Sequence, residues 1–171
     1  MNTLIKNIKI GTCSWKYDSW KGLVYSDSVG KEYLSEYSQH YKIVEVDQWF
    51  WSLFGDKVVM PKPEVVAEYV SGVPKDFRFS IKVPNAITLT HQHGKGPLEV
   101  NPHFLSNALM DDFLKFLEPM SKQINSLIFQ FEYLNKQKMP NQMVFHDRLQ
   151  EFCENLPLRF HYCIETRNQN Y

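Results

Sequence analysis

Apolar residues recur along the chain with two alternating periods, and each change of period marks a change of element. Residues 8–13 form a short apolar stretch that runs into Gly11-Thr12 and reads as a strand passing into a loop. Residues 31–40, KEYLSEYSQH, place Tyr33, Leu34 and Tyr37 at helical spacing after Gly30. Residues 43–47 are rich in strand formers, 63–70 return to a helical pattern opened by Pro63, and 77–83 alternate strictly. A helix is expected over 104–117, a strand over 126–131, a helix over 141–155 and a strand over 159–165. The order is β-α four times, closing on a fifth strand.

Such alternation predicts a parallel sheet, either doubly wound or part of a (β/α)8 barrel. Strand parity separates the two. In residues 77–83, Phe77, Phe79, Ile81 and Val83 share one face, and Arg78, Ser80 and Lys82 the other. A central strand of a doubly wound sheet is covered by helices on both faces and should be apolar throughout. A barrel strand has one helix-facing side and one interior side, where polar groups are tolerated toward the carboxyl end. The same parity sets Glu45 and Asp47 against Val44 and Val46, Gln130 and Glu132 against Leu127, Phe129 and Phe131, and Glu165 and Arg167 against Phe160, Tyr162 and Ile164. Agreement over four strands favours TIM-barrel-like (β/α) repeats in one domain, residues 1–171.

Five motifs in this order carry a resemblance. They are Ile10-Gly-Thr-Cys-Ser-Trp15 with Tyr17 and Trp20; Val44-Glu-Val-Asp47 with Phe50; Phe77-Arg-Phe-Ser-Ile-Lys-Val-Pro84 followed by Ile87-Thr88 and His91; a strand ending Phe129-Gln130; and a strand ending Glu165-Thr-Arg167. In order and spacing they resemble the domain-of-unknown-function 72 (DUF72) proteins, also called the YecE-like or UPF0759 family. The resemblance implies a TIM-barrel-like fold and no particular reaction. In that family the fifth motif usually continues with His, a small residue and Trp, whereas this chain reads Asn168-Gln169-Asn170-Tyr171. Family members also usually continue through further β-α units. The expected barrel is therefore truncated after its fifth strand, with an open edge that meets water unless it is covered. Either the sequence belongs to a longer product, or the chain self-associates through that edge.

The inward set of Glu45, Asp47, Lys82, Gln130, Glu132, Glu165 and Arg167 is the main functional candidate, because the active sites of such barrels lie at the carboxyl ends of the strands. Four carboxylates against two cations leave an acidic excess. Glu45, Lys82 and Glu165 are the candidate catalytic groups; Gly11, Trp15, Asp47, His91, Gln130 and Arg167 are candidate ligand-binding residues. With carboxylates close by, Lys82 is read as a fixed cation for an anionic ligand rather than as a Schiff-base lysine. The competing reading pairs Lys82 and Arg167 with Glu45 and Glu165 as structural ion pairs. Trp15 follows the glycine-bearing strand end and is the best-placed ring for stacking on a ligand, and Gly11 would allow close backbone approach. Trp20 and Phe50 serve equally well as a hydrophobic lid.

His91 and His93 at i, i+2 could reach one metal from an extended segment, with Glu45, Asp47 and Glu132 as oxygen ligands. Without histidine partners from a second strand, no tightly bound transition metal is expected, and no cofactor. His103 has no motif support.

Composition narrows the function classes further. The chain has 171 residues, 43% of them hydrophobic, with 19 Lys+Arg against 19 Asp+Glu. Zero formal charge gives no whole-molecule attraction to nucleic acid, and Lys136-Gln-Lys138 reads as a solvated loop. No apolar run approaches a membrane span. Cys13, Cys153 and Cys163 lack paired spacing and read as reduced thiols, which points to the cytoplasm. Phosphate-cradling loops and serine-esterase motifs are absent. The leading expectation is an enzyme-like barrel with a polar pocket for a small anionic or polyhydroxylated ligand, using carboxylate acid/base chemistry. The alternatives are a non-catalytic ligand-binding or protein-interaction module, and a divalent-metal phosphodiester hydrolase using His91 and the carboxylates.

Overall fold

The strict alternation around Phe79 is borne out as a half-buried strand in a parallel sheet. The structure is a computed structural model that describes residues 8–30, 32–55, 57–92 and 98–171. The extreme N-terminus, Lys31 of the first expected helix, and His93 lie outside the described residues.

In chain order the elements are helix α1 (Tyr33–His40), strand β1 (Ile43–Val46), a short hairpin of β2 (Leu53–Phe54) and β3 (Lys57–Val58), helix α2 (Pro63–Ser71), strand β4 (Arg78–Lys82), a single-turn helix α3 (Asn85–Thr88), helix α4 (Asn107–Leu117), strand β5 (Ile124–Gln130), helix α5 (Gln142–Glu154) and strand β6 (Tyr162–Glu165). Short 3-10 segments span Asp18–Trp20 and Glu118–Gln123. Helix starts follow local chemistry. Pro63 occupies the first turn of α2, where its missing N–H costs nothing. Ser106 caps α4 by accepting the Leu109 N–H at 3.2 Å, and Asn141 caps α5 by accepting the Val144 N–H at 3.0 Å.

The sheet order is β1-β4-β5-β6, parallel throughout, so strands lie side by side in the order of the chain with no reversal. A doubly wound sheet would reverse at a switch point. One face is sealed: Val44, Val46, Phe79, Ile81, Leu127 and Phe129 are all 0–1% exposed. They join one core cluster with Tyr37 of α1, Val66 and Tyr69 of α2, Met110, Phe113 and Leu117 of α4, and Phe145 and Phe152 of α5. The opposite face carries Glu45, Ser80, Lys82, Ile128 and Gln130, all half-buried. The four major helices thus bury their apolar sides against a single face of the sheet.

Two expectations are corrected. Residues 8–13 do not form a strand. Only one ladder contact joins them to the sheet, between Cys13 and Glu45, held by Ser14 N–H to Glu45 O and Glu45 N–H to Thr12 O, each at 2.9 Å. The described sheet therefore has four strands and is not closed into a ring. Ile164, expected under a helix, pairs with Phe129 but is 44% exposed, because β6 is an edge strand and no described helix follows it.

Gly11 shows why the 11–14 segment hugs β1. A methyl group there would sit 1.9 Å from the Ile43 carbonyl oxygen. The same segment is tied down by Tyr37, whose hydroxyl accepts the Thr12 N–H at 2.9 Å and donates to Ile43 O at 3.1 Å. Gly11→Ala should force these backbones apart and lower the unfolding free energy by about 1–3 kcal/mol, the usual cost of overpacking. Urea unfolding with an unchanged midpoint would contradict this account of the contact.

Candidate functional site

Register brings the late polar residues of the strands into a diagonal row. Glu45 of β1 is level with Ser80 of β4, Lys82 of β4 with Ile128 of β5, and Gln130 of β5 with Glu165 of β6. With strands about 4.8 Å apart, the row climbs toward the carboxyl ends as it crosses the sheet. Lys82 Nζ lies 3.2 Å from Glu45 Oε1, and the Lys82 side chain is 17% exposed. The same ammonium stands 5.9 Å from the centre of the Phe50 ring, which is itself buried. At the far end, Arg167 Nε approaches Glu165 Oε1 to 3.3 Å, with both side chains near half exposure. Gln130 Oε1 is buried between these pairs and has no hydrogen-bond partner among the described residues. An acceptor in that condition is costly unless something donates to it.

The acidic excess is smaller than four against two. Lys138 pairs with Glu132, so three cations face four carboxylates and Asp47 carries the remainder. Lys138 is therefore no solvated loop cation; its side chain is 23% exposed. The first oxygen of Glu132 accepts two further bonds, from Thr90 N–H at 3.0 Å and Thr90 Oγ1–H at 2.7 Å, and Thr90 Oγ1 lies 3.0 Å from His91 Nδ1. Thr90 and Lys138 were not distinguished by any sequence pattern. The only local signal is that both lie within ten residues of a sheet strand's carboxyl end.

Below the Lys82 pair, a shallow cleft of about 200 Å³ is lined by Gly11, Thr12, Cys13, Glu45, Ser80 and Ile128. The backbone that Gly11 approaches is that of Ile43. The Cys13 thiol donates to Asp47 Oδ2 at 3.5 Å, and it is pushed up to about 12, first by desolvation and then by the hydrogen bond and negative charge of Glu45. A thiol held three decades above its ordinary 9.0 has little thiolate at neutral pH, so alkylation of Cys13 by iodoacetamide at pH 8 should run at least about tenfold slower than that of a free thiol. Glu45→Gln should speed it. Rapid alkylation of wild-type Cys13 at pH 8 would contradict the electrostatics described.

Trp15 packs into the core, 7% exposed and edge-on to Tyr69 at 4.9 Å between ring centres, while its carbonyl accepts the Tyr25 hydroxyl. Trp49 stacks on Tyr69 at 5.7 Å between ring centres. Two of the larger surface grooves, each about 600 Å³, lie apart from the diagonal row. One runs past Trp15, Tyr33, Asp47, Glu68 and Tyr69, the other past Tyr25, Glu36 and His40. Neither includes Lys82, Gln130, Glu165 or Arg167. Among the described residues no group of three or more His, Cys, Asp and Glu side chains is arranged to hold a metal ion. The three cysteines are unpaired, and no helix among the described residues is long and apolar enough to cross a membrane.

Comparison with known proteins agrees with the motif order. Residues 9–171 match the family model described as "Protein of unknown function DUF72". The UPF0759 protein YecE of Escherichia coli (strain K12) is 27% identical over 165 residues, which cover 96% of this chain and 50% of YecE. Among solved structures, a DUF72 family protein from Enterococcus faecalis V583 aligns with TM-score 0.59 at 25% identity, covering 94% of this chain and 50% of that one. A DUF72 family protein from Thermotoga maritima MSB8 aligns with TM-score 0.61 at 20% identity, covering 93% and 55%. The chain thus spans about half the length of the relatives it matches.

Proposed function

Since the chain belongs to the DUF72 family, whose activity is unassigned, we propose from its inner-face geometry that it is an enzyme-like, TIM-barrel-like module. Its ligand is small and anionic or polyhydroxylated, held at the carboxyl ends of the sheet strands. Lys82 and Arg167 supply fixed positive charge, Glu45 and Glu165 act as proton acceptors and donors, and Gln130 supplies the amide that orients the ligand. Asp47 and His91 flank the same end. The observation that carries this reading is the diagonal row on the half-exposed face, with a buried Gln130 oxygen within it that no described residue satisfies.

A second reading draws on the Lys82–Glu45 and Arg167–Glu165 ion pairs. Carboxylates already engaged by a cation serve to hold that cation in place, which suits a binding or interaction module without turnover. As part of the same proposal the domain covers residues 1–171 and works in the reducing cytoplasm where its three thiols stay free, and the edge at β6 is covered either by the rest of a longer product or by a second copy of the chain.

Calorimetric titration with inorganic phosphate, citrate and glucose 6-phosphate tests the reading. Binding of at least one probe to a single competitive site is expected. Binding accompanied by chemical change of the probe favours the enzyme, and binding without it favours the second reading. Failure of all three probes to bind counts against both.

A further inference from the structure

The Glu132–Thr90–His91 cluster decides where a proton sits. Thr90 is 4% exposed, and Glu132 lies two residues past the carboxyl end of β5. Every polar neighbour of Glu132 described above is a donor: the Thr90 N–H and hydroxyl on one oxygen and the Lys138 ammonium on the other. As a carboxylate it has no proton to return. A hydroxyl carries one hydrogen, and Thr90 directs its own to Glu132 at 2.7 Å. At 3.0 Å, Thr90 Oγ1 can therefore meet His91 Nδ1 only as an acceptor, and Nδ1 must bear the hydrogen. In a neutral imidazole the other nitrogen is then bare. The His91 backbone is pinned as well, by a bridge to Val100.

We propose that His91 is a proton acceptor at the carboxyl end of the sheet, its Nε2 lone pair kept available by Thr90 and Glu132 as positioning residues. Its substrate group is a hydroxyl of a ligand held by the inner-face charges, so the acceptor role rests on the reading given above, whereas the tautomer does not. The hydroxyl proton passes to Nε2, the electron pair stays on the ligand oxygen, and the ring becomes an imidazolium. Its new charge stays on the ring and is stabilised by the Nδ1–H bond to Thr90, whose own hydroxyl points to the Glu132 carboxylate. Lys138 on the far carboxylate oxygen is the opposing charge in this network. The logic is that of a base oriented by a third group, with a threonine hydroxyl interposed.

Long-range nitrogen–proton correlation spectra of the intact chain, at a pH where the ring is neutral, test the relay without any ligand. A pyridine-type nitrogen at Nε2 and a pyrrole-type nitrogen at Nδ1 are expected. Thr90→Val should exchange the two signals as the ring reverts to the Nε2–H form, and Thr90→Ser should retain the wild-type pattern. A pyridine-type Nδ1 in wild-type protein, or no change in Thr90→Val, overturns the relay. If Thr90→Val does not fold, the wild-type and Thr90→Ser spectra decide. Glucose 6-phosphate should then move the Nε2 resonance. If that probe binds at Lys82 and Nε2 does not move, the acceptor role is overturned while the ligand reading stands; if the tautomer is as expected and no probe binds, the ligand reading fails instead.

Discussion

Lys82→Met weakens binding of inorganic phosphate or glucose 6-phosphate by roughly 10- to 150-fold, since a hydrogen bond to a charged group is worth about 1.5–3 kcal/mol. The substitution keeps most of the aliphatic stem against Phe50 and removes the charge that lies 3.2 Å from Glu45. Its cost to stability should be small, about 1 kcal/mol or less, because Glu45 is 28% exposed and water can take over part of its solvation. The separation of the two effects is the point. Calorimetry and urea unfolding on the same preparation read both, and a variant that unfolds readily but binds normally would assign Lys82 to structure alone.

Phe129→Ala has the largest expected effect on the fold. Phe129 is fully buried, and its ring meets Phe152 of α5 edge-on at 5.4 Å and Tyr162 of β6 at 5.9 Å. It therefore joins the last two strands to the helix between them. Truncating a buried phenylalanine costs about 3–5 kcal/mol, through lost transfer energy and the cavity left behind. Against a total stability of about 5–15 kcal/mol, this should leave β6 and α5 frayed or the whole domain unfolded at 37 °C. Leu158→Ala, at a fully exposed position, should stay within about 0.5 kcal/mol of wild type. Equal midpoints for the two variants would remove β6 from the cooperative unit.

The parallel sheet and its sidedness were legible because they depend on period and parity. Val44, Val46, Phe79, Ile81, Leu127 and Phe129 lie on the buried face, as strict alternation requires. The helix at Pro63 was marked by that proline, whereas the one over 141–155 showed only by its period, its Asn141 cap appearing in the structure. What could not be read rests on contacts distant in sequence. The hairpin of β2 and β3 has two residues per strand, too few to show a period, and the chain entering β2 is fixed by buried Asn85, whose Oδ1 accepts from Ser52 N–H, Ser52 Oγ and Leu53 N–H at 2.9–3.1 Å. Residues 8–13 have strand composition, yet only Cys13 makes a ladder contact. At the candidate site, Glu45, Lys82, Gln130 and Glu165 followed from parity. Thr90 and Lys138 did not, since each matters through a bond to Glu132 from a loop. Trp15 illustrates a further ambiguity: an aromatic beside a glycine suits a ligand platform or a core, and contact with Tyr69 puts it in the core.

The central claim is that the half-exposed face of the sheet, at the carboxyl ends of its strands, is the ligand site. Amide shift mapping during titration with glucose 6-phosphate tests it most directly. Shifts concentrated at Glu45, Lys82, Gln130, Glu165 and His91, and lost in Lys82→Met, are the predicted result. Shifts confined to the outer grooves around Tyr69 or Glu36, with the diagonal row unmoved, would contradict it.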